Sequence, residues 1–270
     1  MINFSNVSFN YPKKEVFKNL SFELPKGSVC GLLGENGTGK TTLLNLMIGT
    51  LFPKEGLILV DEMNTKSRLA EMYQNLYFIP EEFQLPAITL ARFIQAYAPF
   101  YPHFSHERVL DYTERLKVGL DERLDRMSMG QRKKALIAFG FATSCPILLL
   151  DEPTNGLDIP SKSVFRAMVA ELANEDRIIV ISSHQIRDLD MLLDRVMILD
   201  EHDLVLNSSI AEVEEKLYFG NKHEMDTMIY STGAFAVREN INAEESTANI
   251  ELLFNALIEN KELFKQIFNK

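Results

Sequence analysis

The chain has 270 residues, 46% of them apolar and 24% charged, the balance of a soluble globular protein with one large or two small domains. A formal net charge of −10 argues against a bulk nucleic-acid binder, which depends on neutralising phosphates, so no nucleic-acid partner is expected. No run approaches the roughly 20 apolar residues of a membrane-spanning helix, and Asn3, Ser5 and Asn6 interrupt any leader-like start, so a cytoplasmic protein is expected.

Taken in chain order, residues 3–9 alternate polar and apolar as a strand, and Pro12-Lys13-Lys14 reads as a turn. Val16-Phe17 and Leu20–Leu24 suggest further strands. Val29–Leu33 is continuously apolar, as a strand buried on both faces of a parallel sheet is; its Cys30, like Cys145, reads as a reduced core thiol. A glycine-rich turn follows, then a helix from Lys40 to Ile48 that Gly49 stops. Residues 57–60 and 76–79 read as strands, and 88–143 as a helical subdomain with Ser105 as an N-cap and a long helix from Met129 to Ala142.

Ile147–Leu150 returns to a buried strand, followed by a helix over 161–173 and strands over 178–182 and 196–199. Alternating strands and helices of this kind give an α/β fold with a mostly parallel sheet. Beyond it, a hairpin over 226–237 turns at Gly233. Two helical stripes follow, Ile250, Leu253, Phe254 and Leu257, then Leu263, Phe264, Ile267 and Phe268, both read as packing against the main domain. The expected organisation is a main domain over 1–220 and a small α+β C-terminal extension over 221–270.

Gly34-Glu35-Asn36-Gly37-Thr38-Gly39-Lys40-Thr41 fits the phosphate-binding pattern G-x-x-x-x-G-K-[ST]. A triphosphate needs many backbone N–H donors converging on it, and Gly34, Gly37 and Gly39 free the loop of side-chain bulk. The loop runs into a helix N-terminus, whose dipole favours an anion. Lys40 then reaches the β- and γ-phosphates, and the Thr41 hydroxyl faces Mg²⁺. Asp151, at the end of an apolar strand, is placed to hold that metal through water. Glu152 is placed to polarise a water for attack on the γ-phosphorus. Ser128 is a good N-cap for the helix at Met129 and makes its N-terminus a second anion site. Arg132, Lys133 and Lys134 oppose that helix dipole, a cost that a bound phosphate would relieve.

Together with Met127-Ser128-Met129-Gly130-Gln131, Ile147–Glu152, Asn155-Gly156-Leu157-Asp158 and Ser182-Ser183-His184, the glycine-rich loop resembles the nucleotide-binding subunit of an ABC transporter. Its Walker A, signature, Walker B, D-loop and H-loop stand in family order over residues 2–215. The resemblance implies a P-loop NTPase with an N-terminal antiparallel β subdomain and a helical signature subdomain, binding and hydrolysing Mg-ATP. It implies nucleotide binding by Gly34–Thr41 with Thr42, adenine stacking on Tyr11, and a γ-phosphate contact from His184 acting with Glu152. It further implies that Ser128, Gly130, Gln131 and Asp158 serve the ATP of a second copy in a homodimer.

The partners so implied are that second copy and an integral membrane permease, which would hold the chain on the cytosolic face. Met127 and Met129 replace the usual Leu and Gly of the signature, and Glu81 stands where the family has Gln. That glutamate adds negative charge near the triphosphate while still offering oxygen to Mg²⁺. Pro80-Glu81-Glu82 and the tail around Ile250–Asn255 resemble exporters of the bacitracin- and antibiotic-resistance type. The competing expectation is a soluble ATPase of the same family acting on a macromolecular assembly such as iron–sulfur assembly. The short stretch between Lys40 and Ser128 leaves no room for the coiled coil of the repair ATPases.

Overall fold

The computed structural model describes residues 1–184, 192–222 and 227–268. The chain opens with β1 (Ile2–Tyr11) and β2 (Lys14–Leu24) as an antiparallel pair. The two strands expected around Val16 and Leu20 are one. Asn19 takes a left-handed φ of 52° where the register shifts between Phe17 and Leu20, so a bulge lets the strand continue. Next come β3 (Ser28–Leu33), α1 (Lys40–Met47), β4 (Glu55–Val60) and β5 (Met63–Asn64). Strands β2-β1-β4-β5 form a four-stranded sheet. Gly49 after α1 has φ 69° and sits 2.6 Å, measured from an added Cβ, from the Thr65 carbonyl oxygen, so only glycine ends the helix there.

Then follow α2 (Ala70–Gln74), β6 (Leu76–Ile79), α3 (Leu90–Tyr97), α4 (His106–Arg115), α5 (Met129–Ala142), β7 (Ile147–Asp151) and α6 (Ile159–Leu172). Strands β8 (Ile178–Ser183), β9 (Arg195–Asp200) and β10 (Asp203–Ser209) complete the central sheet. Its order is β10-β9-β3-β8-β7-β6, parallel except at the β10 edge. Each central strand is buried on both faces. Leu148, Leu150, Ile179 and Ile181 pack under the helices, while Ile147, Leu149, Ile178 and Val180 face α1 and the N-terminal sheet. This two-sided burial is what the unbroken apolar runs predict.

The tail consists of α7 (Ile210–Lys216), β11 (Leu217–Asn221), β12 (Tyr230–Thr232), β13 (Phe235–Glu239), α8 (Ile250–Glu259) and α9 (Lys261–Phe268). The expected hairpin at Gly233 is β12–β13; its outer end at Asp226 lies outside the described residues. Strand β11 pairs with the far side of β13. Leu253, Leu257, Phe264 and Ile267 join the apolar cluster of the central sheet, so the stripes pack inward as expected. Leu263 is the exception and stays exposed, because α9 turns Phe264 and Ile267 to the core.

Residue Gly140 of α5 tests how tightly this core is packed. A Cβ there would lie 2.4 Å from Cε1 of the buried Tyr77, whose ring is braced by Tyr101 and Phe139. Alanine improves helix propensity by about 1 kcal/mol, but overpacking costs about 1–3 kcal/mol. Gly140→Ala should therefore lower the urea unfolding midpoint; an unchanged or raised midpoint would show that the aromatic cluster yields freely.

Candidate active site

The glycine-rich loop leaves β3 at Gly34, where a Cβ would meet the Leu199 carbonyl oxygen of β9 at 2.6 Å and Thr38 Oγ1 at 2.7 Å. At the other end Gly39, φ 112°, passes 2.8 Å from the Phe17 ring by the same measure. The loop is thus clamped between the two sheets and admits no side chain at either end. Lys40 folds back along it, and its buried Nζ donates to the carbonyls of Gly34 at 2.7 Å and Glu35 at 3.1 Å. Burial lowers the Lys40 pKa from its ordinary value, while the charges of Glu152, Asp151 and Glu81 act to raise it.

Strand β7 delivers the acids, and β8 delivers the serine that holds them. Asp151 Oδ2 accepts from Thr41 Oγ1 at 2.7 Å, and its other oxygen accepts a short bond from Ser182 Oγ. Next to it, Glu152 takes φ 46°, an uncommon conformation for a side-chain-bearing residue that functional sites retain. Its backbone is well held: the N–H donates to Ser182 Oγ at 3.0 Å and to the Ser182 carbonyl at 3.2 Å, and the carbonyl accepts from Lys133 Nζ at 2.8 Å and from the Asn155 N–H at 3.2 Å. The Glu152 carboxylate then receives the His184 backbone N–H at 2.9 Å and lies 2.7 Å from His184 Nδ1. Glutamate and histidine form one unit.

Lys40, Thr41, Asp151 and Glu152 line a cavity of about 450 Å³, with Tyr11, Asn36, Gly37, Thr42 and Glu81 also on its walls. Tyr11 is exposed, as a stacking surface must be, and its hydroxyl lies 3.3 Å from Thr42 Oγ1. Glu81 accepts from Asn155 Nδ2 at 3.4 Å. Its charge acts on Lys40, and among the carboxylates acting on Lys133 it comes first. The carboxylate that stands where a glutamine was expected thus acts on both buried lysines without bonding to either. Among the described residues no three His, Cys, Asp or Glu side chains could cage a metal by themselves. Thr41 and Asp151 instead offer adjacent hard oxygens, the donor set by which a few protein groups share Mg²⁺ with water and substrate phosphates.

The predicted Ser128 cap forms, but it stands outside this cavity. Ser128 Oγ accepts from Gln131 N–H at 3.3 Å and Gln131 Oε1 accepts from Ser128 N–H at 3.0 Å, a complete capping box. A Cβ on Gly130 would lie 2.8 Å from the Gly156 carbonyl oxygen, so the start of α5 rests on the 155–158 loop. Asp158 caps α6 through Ser161 N–H at 2.8 Å and binds Lys134 at 2.9 Å, and these bonds hold its carboxyl well below the usual range. Ser128, Gly130, Gln131 and Asp158 line no part of the cavity that holds Lys40 and Glu152.

The three cations after Gln131, expected to oppose the α5 dipole, each find an acceptor within the protein. Arg132 donates to the Asp125 carbonyl at 2.7 Å, Lys133 to Glu152, and Lys134 to Asp158. The role of Lys133 was missed in the sequence, although a signal was present: it shares a helical stripe with the buried Leu136, Ile137 and Gly140. A lysine on an apolar stripe needs a buried acceptor.

Comparison with known proteins follows the same lines. A family model described as ABC transporter matches residues 17–155. The ABC transporter ATP-binding protein NatA of Bacillus subtilis is 32% identical over 222 residues, covering 78% of this chain and 89% of NatA. The linearmycin resistance ATP-binding protein LnrL of the same organism is 28% identical, covering 76% of this chain and 68% of its own. A solved structure described as the ATP-binding subunit of an ABC transporter superposes with a TM-score of 0.73 at 21% identity, covering 79% of this chain and 92% of that one.

Lys133→Met keeps the aliphatic volume and removes the charged donor to the Glu152 carbonyl, leaving the Asn155 N–H. ATP turnover should fall by at least about tenfold, the loss of a bond from a charged donor of about 1.5–3 kcal/mol, while ATP affinity stays within about threefold. Affinity falling in parallel with turnover would show that Lys133 acts on the loop rather than on Glu152.

Proposed function

The chain belongs to the ABC transporter ATP-binding family and is an ATPase, and from that premise we propose that two copies sandwich two ATP molecules and drive a separate membrane permease in export. The observation that supports this reading most is the separation of two half-sites on one chain. Lys40, Thr41, Asp151 and Glu152 face one cavity, and the Ser128 capping box lies outside it. A second copy supplies the missing half. Met129 and Ile159, next to Ser128 and Asp158, are 53% and 84% exposed, apolar surface of the kind an interface covers.

In this reading the N–H groups of the 34–41 loop and the α1 N-terminus hold the phosphates, Lys40 neutralises the β- and γ-oxygens, and Tyr11 stacks on the adenine. Thr41 and Asp151, with an oxygen of Glu81, would hold Mg²⁺, which would supply charge neutralisation on the phosphates. Glu152 accepts the proton of the attacking water. His184 fixes that carboxylate by the 2.7 Å contact and turns its remaining ring nitrogen to the γ-phosphate. The partner's Ser128, Gly130 and Gln131 close the site, with the partner's Asp158 alongside.

The permease contact is supported by an aromatic groove of about 310 Å³ that includes Tyr73, Phe78, Tyr97 and Tyr101, with Phe100 beside it 65% exposed. A cytosolic segment of the permease is the occupant that fits a transport subunit, and it would hold the chain at the membrane. Export is supported by the Pro80-Glu81-Glu82 resemblance and by the similarity to LnrL.

Glu152→Gln should retain ATP binding and lose turnover by about two to four orders of magnitude, the usual contribution of a general base. Loss of ATP affinity in the folded variant would refute the assignment. The composite site has its own test. Ser128→Arg and Lys40→Ala should each be inactive alone, whereas a mixture with subunit exchange should regain part of the parental ATPase rate. One site of the heterodimer then pairs the intact Lys40 of one chain with the intact Ser128 of the other. A cysteine crosslink between positions 38 and 129 forming within one chain would overturn the composite site. Phe100→Glu should release the chain from its co-expressed permease in a pull-down without changing its basal ATPase; retained association would remove the groove from the interface.

A further inference from the structure

A second cavity, about 460 Å³, lies against the phosphate-binding loop, and its wall is not made by the main domain alone. Gly34, Glu35 and Asn36 form one side, Ser183 and His184 another, and Phe254 of α8 closes it. Asn36 also borders the first cavity, so the two share a loop wall. The tail therefore reaches the residues on which turnover depends.

Phe254 is held there firmly. On the same helix Ile250, Leu253, Ala256 and Leu257 are almost wholly buried in the core under the central sheet, which leaves Phe254, half-buried, at the edge facing the loop. The next helix grips the loop's other support. Lys261 binds Asp200, at the end of β9, and Glu201 at 3.2 Å. The preceding residue, Leu199, offers the carbonyl that packs against Gly34. Two successive tail helices thus brace the start of the loop, one through an aromatic ring and one through the end of β9.

We propose that the C-terminal extension is a working wall of the nucleotide site, with Phe254 a positioning residue that sets His184 and the Glu35–Asn36 segment for turnover. The inference rests on the ATPase reading and extends it to the tail. A ring on the wall of the cavity that His184 also lines narrows the space open to the imidazole and favours its contact with Glu152. Small misplacements of such a pair are costly to rate and nearly neutral to ground-state binding.

The chain contains no tryptophan, so Phe254→Trp places a single indole reporter at this wall. In a Glu152→Gln background, which retains nucleotide, its emission should shift on addition of Mg-ATP. Identical emission with and without Mg-ATP in the cooperatively folded variant would overturn the proposal. In the otherwise unaltered chain, Phe254→Ala should lower kcat roughly five- to tenfold with KM within about twofold. Phe254→Leu should recover most of the rate, and Leu263→Ala, exposed on the same tail, should match the parent. A kcat for folded Phe254→Ala within about twofold of the parent, or an equal loss in Leu263→Ala, would also overturn it. Should the alanine variant not fold, the indole signal and the Phe254→Leu rate decide alone. A parent chain without ATP turnover would instead mark failure of the ATPase reading itself.

Discussion

Two buried lysines among three carboxylates are the constraint on which the rest of this molecule depends. Lys40 and Lys133 are each shifted by burial away from their charged forms, and Asp151, Glu152 and Glu81 oppose that shift at both. Lys40, Lys133, Asp151 and Glu152 are buried, and a buried charge is costly without a partner. Their balance requires β7 to end where β3 does, and the parallel register Ser28↔Ile178 and Ile147↔Ile178 brings this about. The apolar faces of the sheet hold that register, so the hydrophobic core and the charged site are parts of one arrangement.

The same balance includes Glu81. A carboxylate where a glutamine was expected adds negative charge to the cavity. It acts on the buried Lys133, raising that amine's pKa against burial, while the Lys133 ammonium itself bonds the Glu152 carbonyl. That influence is visible only when helices and strands are both in place.

Much of this was legible in the sequence. The apolar strands, the glycine loop, the Ser128 cap and the acids ending β7 follow from local pattern, because each rests on residues close along the chain. The merging of the two expected strands in β2 did not, since Asn19 in a left-handed conformation looks like a break. Strand β10 is amphipathic and short of strong signals, and β11 is recognised only through its pairing with β13. The destinations of Arg132, Lys133 and Lys134 were hidden for a deeper reason: their acceptors, the carbonyls of Asp125 and Glu152 and the Asp158 carboxylate, are backbone or turn groups that no residue pattern marks.

The central position of β3 bears on how the molecule comes into being at the ribosome. The strand that launches the phosphate-binding loop is made well before its two neighbours, β8 and β9, which begin at Ile178 and Arg195. About 150 residues separate Ser28 from its partner Ile178, a loop closure that chain entropy makes slow. The carbonyl that shapes Gly34 belongs to Leu199, later still. A nascent chain that has completed the helical subdomain consequently still carries an unpaired, fully apolar β3, which is a hazard for misassembly. Competence for nucleotide arrives late in synthesis, only after β9 has emerged and been threaded alongside a strand made far earlier.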